Sequence, residues 1–345
     1  MSEIDLQDAI LRHSLQILRL SAGEQAAVDE IMRNLEADLR AMLGSVDLTA
    51  AKKAQIQELI NAADKAIAGR YDEASTATDT YGLAVVVAEQ TRDIIGGGLP
   101  DGVTVNTPSA ARLASLTRMV MIDGAPSRDW WARQSDDTAF KFASQVRQGI
   151  VNGESQARIV QRIVGKGAEP GIMTVSRRNA RALVHSSVMT AANQARLATY
   201  RKNARLIAGV RWLATLDGHT CPRCAALDHQ AWDLDGKPMK GTKVEFMAPP
   251  IHWNDRCILS VIPKTFTDIG LDIPEPTDAG TRASSMGQID AKTTFGDFLK
   301  RQSPEFIDRT LGKKRAELFR AGKITVRDLI SGTGRELTLD ELKTH

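Results

Sequence analysis

Cys221-Pro222-Arg223-Cys224, followed after 27 residues by His252-Trp253-Asn254-Asp255-Arg256-Cys257, is the stretch on which the reading of this chain turns. It holds all three cysteines of a 345-residue sequence. Thiols this few, grouped in one place and opening with C-x-x-C, point to a bound metal rather than to a disulfide. Two thiolates on one tight knuckle, a third thiolate and an imidazole make a closed, four-ligand set that suits Zn2+. Cys221, Cys224, His252 and Cys257 are therefore the expected ligands of a structural Zn2+. Asp255 is an alternative oxygen ligand, and three reduced cysteines in a small core are the competing reading. A metal here would close a 37-residue segment with too few apolar residues to fold alone, so that its binding free energy becomes folding free energy.

The knuckle is flanked by strand patterns. Val210, Trp212 and Ala214 alternate with Arg211, Leu213 and Thr215, which predicts a strand running into the turn Asp217-Gly218-His219-Thr220. Asp217 is placed to accept backbone N–H bonds in that turn. A second short strand is expected over 230–234, and Ile258-Leu259-Ser260-Val261-Ile262 reads as a third that closes a small antiparallel sheet.

Upstream, the apolar residues recur at helical spacing. Leu6, Ile10, Ile17 and Leu20 lead into Val28, Ile31, Leu35, Leu39 and Met42, ending at Gly44; Ile56, Leu59, Ala63 and Ile67 form the next stripe. A further helix is expected over 71–95, stopped by Gly96-Gly97-Gly98. Stripes of this kind need partners, which predicts a helical bundle. In the middle of the chain, Ser135 is a possible cap for a helix with Ala139, Phe142, Val146 and Ile150 inward. A shorter helix carries Ile159, Ile163 and Val164, and a long one over 175–204 buries small residues from Ala180 to Ala198. His185 on that last helix reads as a packing group, since a lone helical histidine seldom acts as a catalyst.

The expected fold class is thus mainly α with a small antiparallel β element. Its parts are an acidic helical region at 1–98, a core at 109–264 of basic helices plus the zinc knuckle, a linker at 265–292 and a helical tail at 293–345. The linker reading rests on Pro274-Glu275-Pro276 amid Gly, Asp, Ser and Thr. In the tail, Thr325-Val326-Arg327-Asp328 and Thr338-Leu339-Asp340-Glu341 both have the form of a capping box.

Net charge is +3 overall but unevenly spread. Residues 1–101 carry 17 Asp or Glu against 9 Lys or Arg, a net of −8, whereas residues 140–211 carry 13 Lys or Arg against Glu154 and Glu169, a net of +11. An acidic front and a basic middle suggest different partners, and the basic middle fits contact with a polyanion. The expected nucleic-acid-binding residues are Arg177, Arg178, Arg181, Arg196, Arg201, Lys202 and Arg205. The bland alternative is a set of solvated helix faces.

Several classes are disfavoured. The first residues are acidic and the apolar run at 83–88 is too short to span a bilayer, so neither a secretory signal nor membrane anchoring is expected. There is no Walker lysine, dinucleotide fingerprint, H-E-x-x-H or nucleophile elbow. A catalytic zinc needs an open position beside a general base. Asp217, His219, Asp228 and His229 lie nearby in sequence, but four good ligands leave no vacancy, and no catalytic residue is assigned.

With these residues in view, the chain resembles the phage head morphogenesis, or minor head, proteins of the Mu F type. The resemblance is carried by Tyr200 ending a helix, Trp212 in a strand, Asp217 ahead of Cys221 and Cys224, and Pro250, His252 and Cys257 ahead of an apolar strand. It covers about 140–263. The tail, with Phe295, Leu299, Gln302, Leu311-Gly312, Arg315 and Gly322, resembles the C-terminal regions of such proteins. Members often show C-x-C after the histidine, and here the first of those cysteines is Asp255.

The resemblance implies a non-enzymatic virion component, made in the host cytoplasm and located in the head near the portal. It further implies portal and other head proteins as partners, self-association, and contact with packaged double-stranded DNA or release with it. The alternatives of other classes are a zinc-dependent nucleic-acid-processing enzyme and a stand-alone zinc-stabilised DNA-binding protein.

Overall fold

The computed structural model describes residues 2–48, 50–276 and 280–343. In chain order the helices and strands are α1 (Glu3–Gly44), α2 (Lys53–Thr76), α3 (Thr80–Gly96), α4 (Ala110–Arg118), β1 (Met121–Ile122), β2 (Ala125–Pro126), α5 (Ser127–Val151), α6 (Gln156–Val164), α7 (Ile172–Lys202), β3 (Ile207–Leu213), α8 (Pro222–Leu227), β4 (Ala231–Asp233), β5 (Ile258–Pro263), β6 (Thr281–Ser284), β7 (Gly287–Asp290), α9 (Phe295–Leu299), α10 (Pro304–Leu311), α11 (Lys313–Arg320) and α12 (Leu339–Lys343). The chain is mainly helical with small antiparallel sheets, as its periodicity predicts.

Two compact units result, each discontinuous in sequence: Met1–Ile17, Leu83–Leu116 and Ala191–His345 form one, and Leu18–Gly82 with Thr117–Thr190 forms the other. Neither coincides with the chain-order division at 98, 109, 264 and 292, because α1 and α7 each run through a unit boundary.

Among its described residues the second unit is mainly helical, with the short β1–β2 ribbon and an isolated antiparallel bridge between Lys166 and Glu169. The α1 stripe of Val28, Met32, Leu35, Leu39 and Leu43 is buried, as are Leu59, Ala63, Ile67 and Tyr71 on α2 and Phe142 and Val146 on α5. The Tyr71 and Trp131 rings meet edge to face at 6.2 Å, and the Tyr71 hydroxyl lies 2.8 Å from Thr138 Oγ1. The helix expected over 71–95 is two helices. Asp79 breaks it, because its carboxylate accepts the Gly82 N–H at 2.8 Å and so caps the start of α3.

In the first unit, β3 is the middle strand of a sheet ordered β4-β3-β5, antiparallel throughout. Gly209 sits where β3 and β4 approach so closely that a Cβ would collide with the Trp232 carbonyl. Trp212 and Trp232 are fully buried and pack with Phe295, Phe298 and Leu299 of α9 in one core. Tyr200 at the end of α7 donates its hydroxyl to the Leu259 carbonyl at 3.2 Å, fixing that helix to β5. Both capping boxes form: Thr325 with Asp328, where the element is a 3-10 turn at Val326–Leu329, and Thr338 with Glu341.

The stretch read as a linker, 265–292, includes residues 277–279, which lie outside the described residues. Its remainder holds ordered elements. The β6–β7 hairpin occupies 281–290, and Arg282 within it is only 2% exposed. Composition favours a linker there, but a single buried arginine anchors the hairpin.

Candidate metal centre

The C-x-x-C knuckle forms the entry to α8. Cys221 is its N-cap, with Sγ accepting the Cys224 N–H at 3.3 Å, and Pro222 takes the first helical position. The helix thus turns both sulfurs to one side. His252 comes from the remote loop, with Nε2 3.2 Å from Cys221 Sγ and 3.1 Å from Cys224 Sγ. Its Nδ1 lies 2.8 Å from the Trp253 carbonyl, which fixes the ring and reserves Nε2 for the sulfurs. Cys224, Asp255 and Cys257 make a second cluster that shares Cys224 with the first, and the donor atoms of each cluster lie within 4.8 Å of one another.

Cys221, Cys224 and His252 fit three positions around a zinc ion, and Cys257, which shares a cluster with Cys224 but not with Cys221 and His252, would have to close in as the fourth. A tetrahedral Zn2+ with thiolate and imidazole ligands sets sulfur–nitrogen edges of about 3.6 Å. The observed edges are shorter by a few tenths of an ångström, as expected of thiol and imidazole groups that bond one another directly. The imidazole already has the outer-shell carbonyl that metal-bound histidines usually have. A neutral thiol triad in an apolar core would require none of this.

The site is electrostatically polarised. The Cys224 thiol beside it, aided by His252, pulls Cys221 down to about 4. Cys221 in turn holds His252 up to about 9. Burial pushes Cys257 up to about 12, and Cys224 is raised by its neighbours Cys221 and Cys257 and by burial. Negative charge is thus favoured at Cys221 and positive charge at His252, while the thiols of Cys224 and Cys257 resist ionisation. A cation that replaces the thiol protons is the natural partner of such a set.

Asp255, the alternative ligand, is 2% exposed. Its Oδ1 accepts the Cys257 N–H at 2.8 Å and its Oδ2 accepts the Ile251 N–H at 2.9 Å, while Cys224 Sγ lies 3.6 Å from Oδ1. The carboxylate thus shapes the loop that presents both His252 and Cys257. From α7, Asn193 donates to the Cys257 carbonyl at 3.3 Å.

Asp217 accepts the His219 N–H at 2.9 Å, as its turn position predicts. Its larger role was not legible: Arg256 donates to both of its oxygens, at 2.6 and 2.8 Å. Burial opposes ionisation of Asp217, but the Arg256 pair and the His219 N–H outweigh it and hold the carboxyl below its usual range. Asp228 is similarly engaged, accepting from both Nη atoms of Arg282 at 3.1 Å and from the backbone N–H groups of Ala214 and Phe295. His229 Nε2 lies 2.9 Å from Arg282 Nη1. Two of the residues that a hydrolytic reading would recruit are therefore occupied in structural pairs. His185 is buried, with Nδ1 3.4 Å from Ser21 Oγ.

The basic residues divide into three sorts. Arg178, Arg201, Lys202 and Arg205 are exposed. Arg181 and Arg177 face acidic residues of α1, at 2.8 Å from Asp29 and 3.3 Å from Glu36. Arg196 corrects the expectation, being 1% exposed and held by Asn193 and Ser14, each at 3.1 Å. Its position on the inward face of α7 takes it away from any phosphate. The acidic front and basic middle thus pair with each other in part rather than serving only separate partners.

Among the described residues, no helix is long and apolar enough to cross a membrane. No curated protein and no solved structure matches the chain. A family model does: residues 141–260 match that of the Phage Mu protein F like proteins. The matched stretch ends just beyond Cys257 and contains Tyr200, Trp212, Asp217 and the whole Cys/His cluster, so residues 141–260 are similar to the Phage Mu protein F like proteins.

Proposed function

We propose that the chain is a structural minor head protein of a tailed phage, acting in head assembly at the portal vertex and stapled by one Zn2+ at Cys221, Cys224, His252 and Cys257. The observation that carries this reading is the coincidence of the stretch similar to the Phage Mu protein F like proteins with a polarised Cys/His cluster. The metal, when bound, supplies a cross-link and no reaction. Cys221 and Cys224 come from the start of α8, and His252 and Cys257 from the loop before β5. Tying them together holds the sheet against the end of α7 through Tyr200 and Asn193.

Portal and other head proteins are the proposed partners, together with other copies of the chain. The exposed cations Arg178, Arg201, Lys202 and Arg205 would add salt-dependent, sequence-independent contact with packaged double-stranded DNA. The proposed location is the virion head, near the portal. Reconstruction of intact and emptied virions tests the placement. Density for the chain beside the portal is expected in full particles, whereas its absence from particles at every stage of assembly contradicts the reading.

A further inference from the structure

Cys221 and Cys224 share one turn, closed by the Ala225 N–H on the Cys221 carbonyl at 2.9 Å. The Cys224 N–H donates to Cys221 Sγ at 3.3 Å, which folds the first sulfur back over the turn, and the two sulfurs lie within 4.8 Å of each other. Two cysteines spaced this way can close a bond of about 2.05 Å by rotating their side chains, with the backbone left in place.

The three thiols differ in access. Cys221 is half-buried, whereas Cys224 and Cys257 are 1% and 3% exposed. Thiol–disulfide exchange starts at the sulfur a dissolved disulfide can reach and ends at the thiol nearest to it. Access therefore makes Cys221 the first sulfur to react and proximity makes Cys224 the second. Cys257 shares a cluster with Cys224 but not with Cys221. Its backbone is also tied down, with the N–H on Asp255 at 2.8 Å and the carbonyl on Asn193 at 3.3 Å. The loop that carries His252 and Cys257 keeps further anchors in the Arg256–Asp217 pair and in the Ile251 N–H on Asp255 at 2.9 Å. A bond between Cys221 and Cys224 leaves all of these intact.

We propose that Cys221 and Cys224 form a reversible thiol–disulfide pair whose closure withdraws two of the four proposed zinc ligands. The oxidant is a low-molecular-weight disulfide such as glutathione disulfide. In the metal-free chain the Cys221 thiolate attacks one of its sulfurs, breaks its S–S bond and releases one glutathione thiolate. The sulfur of Cys224 then attacks Cys221 Sγ and releases the second glutathione. The two cysteines lose two electrons and two protons, and the two glutathione thiols take them up. After closure only His252 and Cys257 remain as donors, too few for a closed tetrahedral site. Displacement of zinc rests on the metal reading above, whereas formation of the disulfide does not.

Incubation of the full chain with glutathione disulfide tests it, with free thiols counted after denaturation and the bond mapped by mass spectrometry of a digest. The count should fall from three to one, with the bond between Cys221 and Cys224, and dithiothreitol should restore all three thiols. Zinc should enter solution as the bond forms, one ion per disulfide, read with a chromogenic chelator. Cys257→Ser should still form the bond, whereas Cys221→Ser should slow oxidation about tenfold or more, because the thiols left are buried. Three thiols persisting where a free peptide spanning residues 219–226 is fully oxidised, or a bond mapped to Cys257, would overturn the proposal. Zinc retained by the oxidised chain would overturn the displacement. A chain without zinc that still closes the bond would uphold the thiol pair and contradict the metal reading alone.

Discussion

Arg256 grips Asp217 with two parallel bonds, Nη1 to Oδ2 at 2.6 Å and Nη2 to Oδ1 at 2.8 Å. The pair joins the turn that leads into Cys221 to the residue just before Cys257, so it sets the spacing between the two halves of the Cys/His cluster. Outer-shell contacts of this sort commonly change metal affinity by 10–100-fold. Asp217→Asn or Arg256→Lys should therefore lower zinc affinity by about tenfold or more, measured by competition with a chromogenic chelator. Both variants should still fold when zinc is in excess. Unchanged affinity would make the pair a surface contact of little consequence.

The buried Asp228–Arg282 pair makes the opposite demand, since both side chains are almost fully buried. Arg282 also donates to the Ala214 and Thr293 carbonyls at 2.7 and 3.0 Å. Removing one partner strands a charge, which typically costs about 3–5 kcal/mol. Asp228→Asn and Arg282→Met should each destabilise the first unit by that order in urea unfolding. A cost below about 1 kcal/mol in both would mean that water reaches the pair.

These two pairs mark where sequence reading stops. The sheet was legible because Val210, Trp212 and Ala214 alternate, and the cluster because thiols are rare and C-x-x-C has few uses. The helices were legible wherever an apolar stripe ran unbroken, as on α1. By contrast, Arg282 looks like any arginine in a stretch rich in glycine, proline and threonine, and its partner lies 54 residues away. Charge counting likewise registered a +11 region but not that Arg196 faces inward, because inward or outward is decided by tertiary packing.

The division of the arginines predicts how DNA binding should respond. Replacing Arg178, Arg201, Lys202 and Arg205 with alanine should weaken duplex affinity about tenfold or more at low salt and reduce the slope of log affinity against log salt. Arg196→Met should leave affinity unchanged. It should also keep or raise thermal stability, because Arg196 has no carboxylate partner among the described residues and an apolar replacement is often neutral or stabilising. Fluorescence anisotropy across a salt series reads the first effect and thermal melting the second.

His13 gives the first unit a pH dependence. It is 5% exposed, and burial together with the nearby Arg196 guanidinium lowers its pKa to about 4 from 6.5, against an opposing pull from Gln90. Between those values the unfolded chain binds a proton that the folded chain refuses. Stability contributed by the neutral form is thus complete above about pH 6.5 and lost as pH falls toward 4, by roughly 2–3 kcal/mol. His13→Leu should flatten that part of the stability curve in urea melts from pH 4 to 7. A wild-type curve that is equally flat would contradict the assignment.

The most direct measurement is the metal content of the purified chain, read by elemental analysis beside native mass spectrometry. One Zn2+ per chain is expected, lost in Cys224→Ala, with chelation of the wild type lowering the melting temperature of the first unit. Well under one equivalent of any metal, together with a melting curve that neither chelator nor Cys224→Ala shifts, would reduce the cluster to three buried thiols and remove the staple from this account.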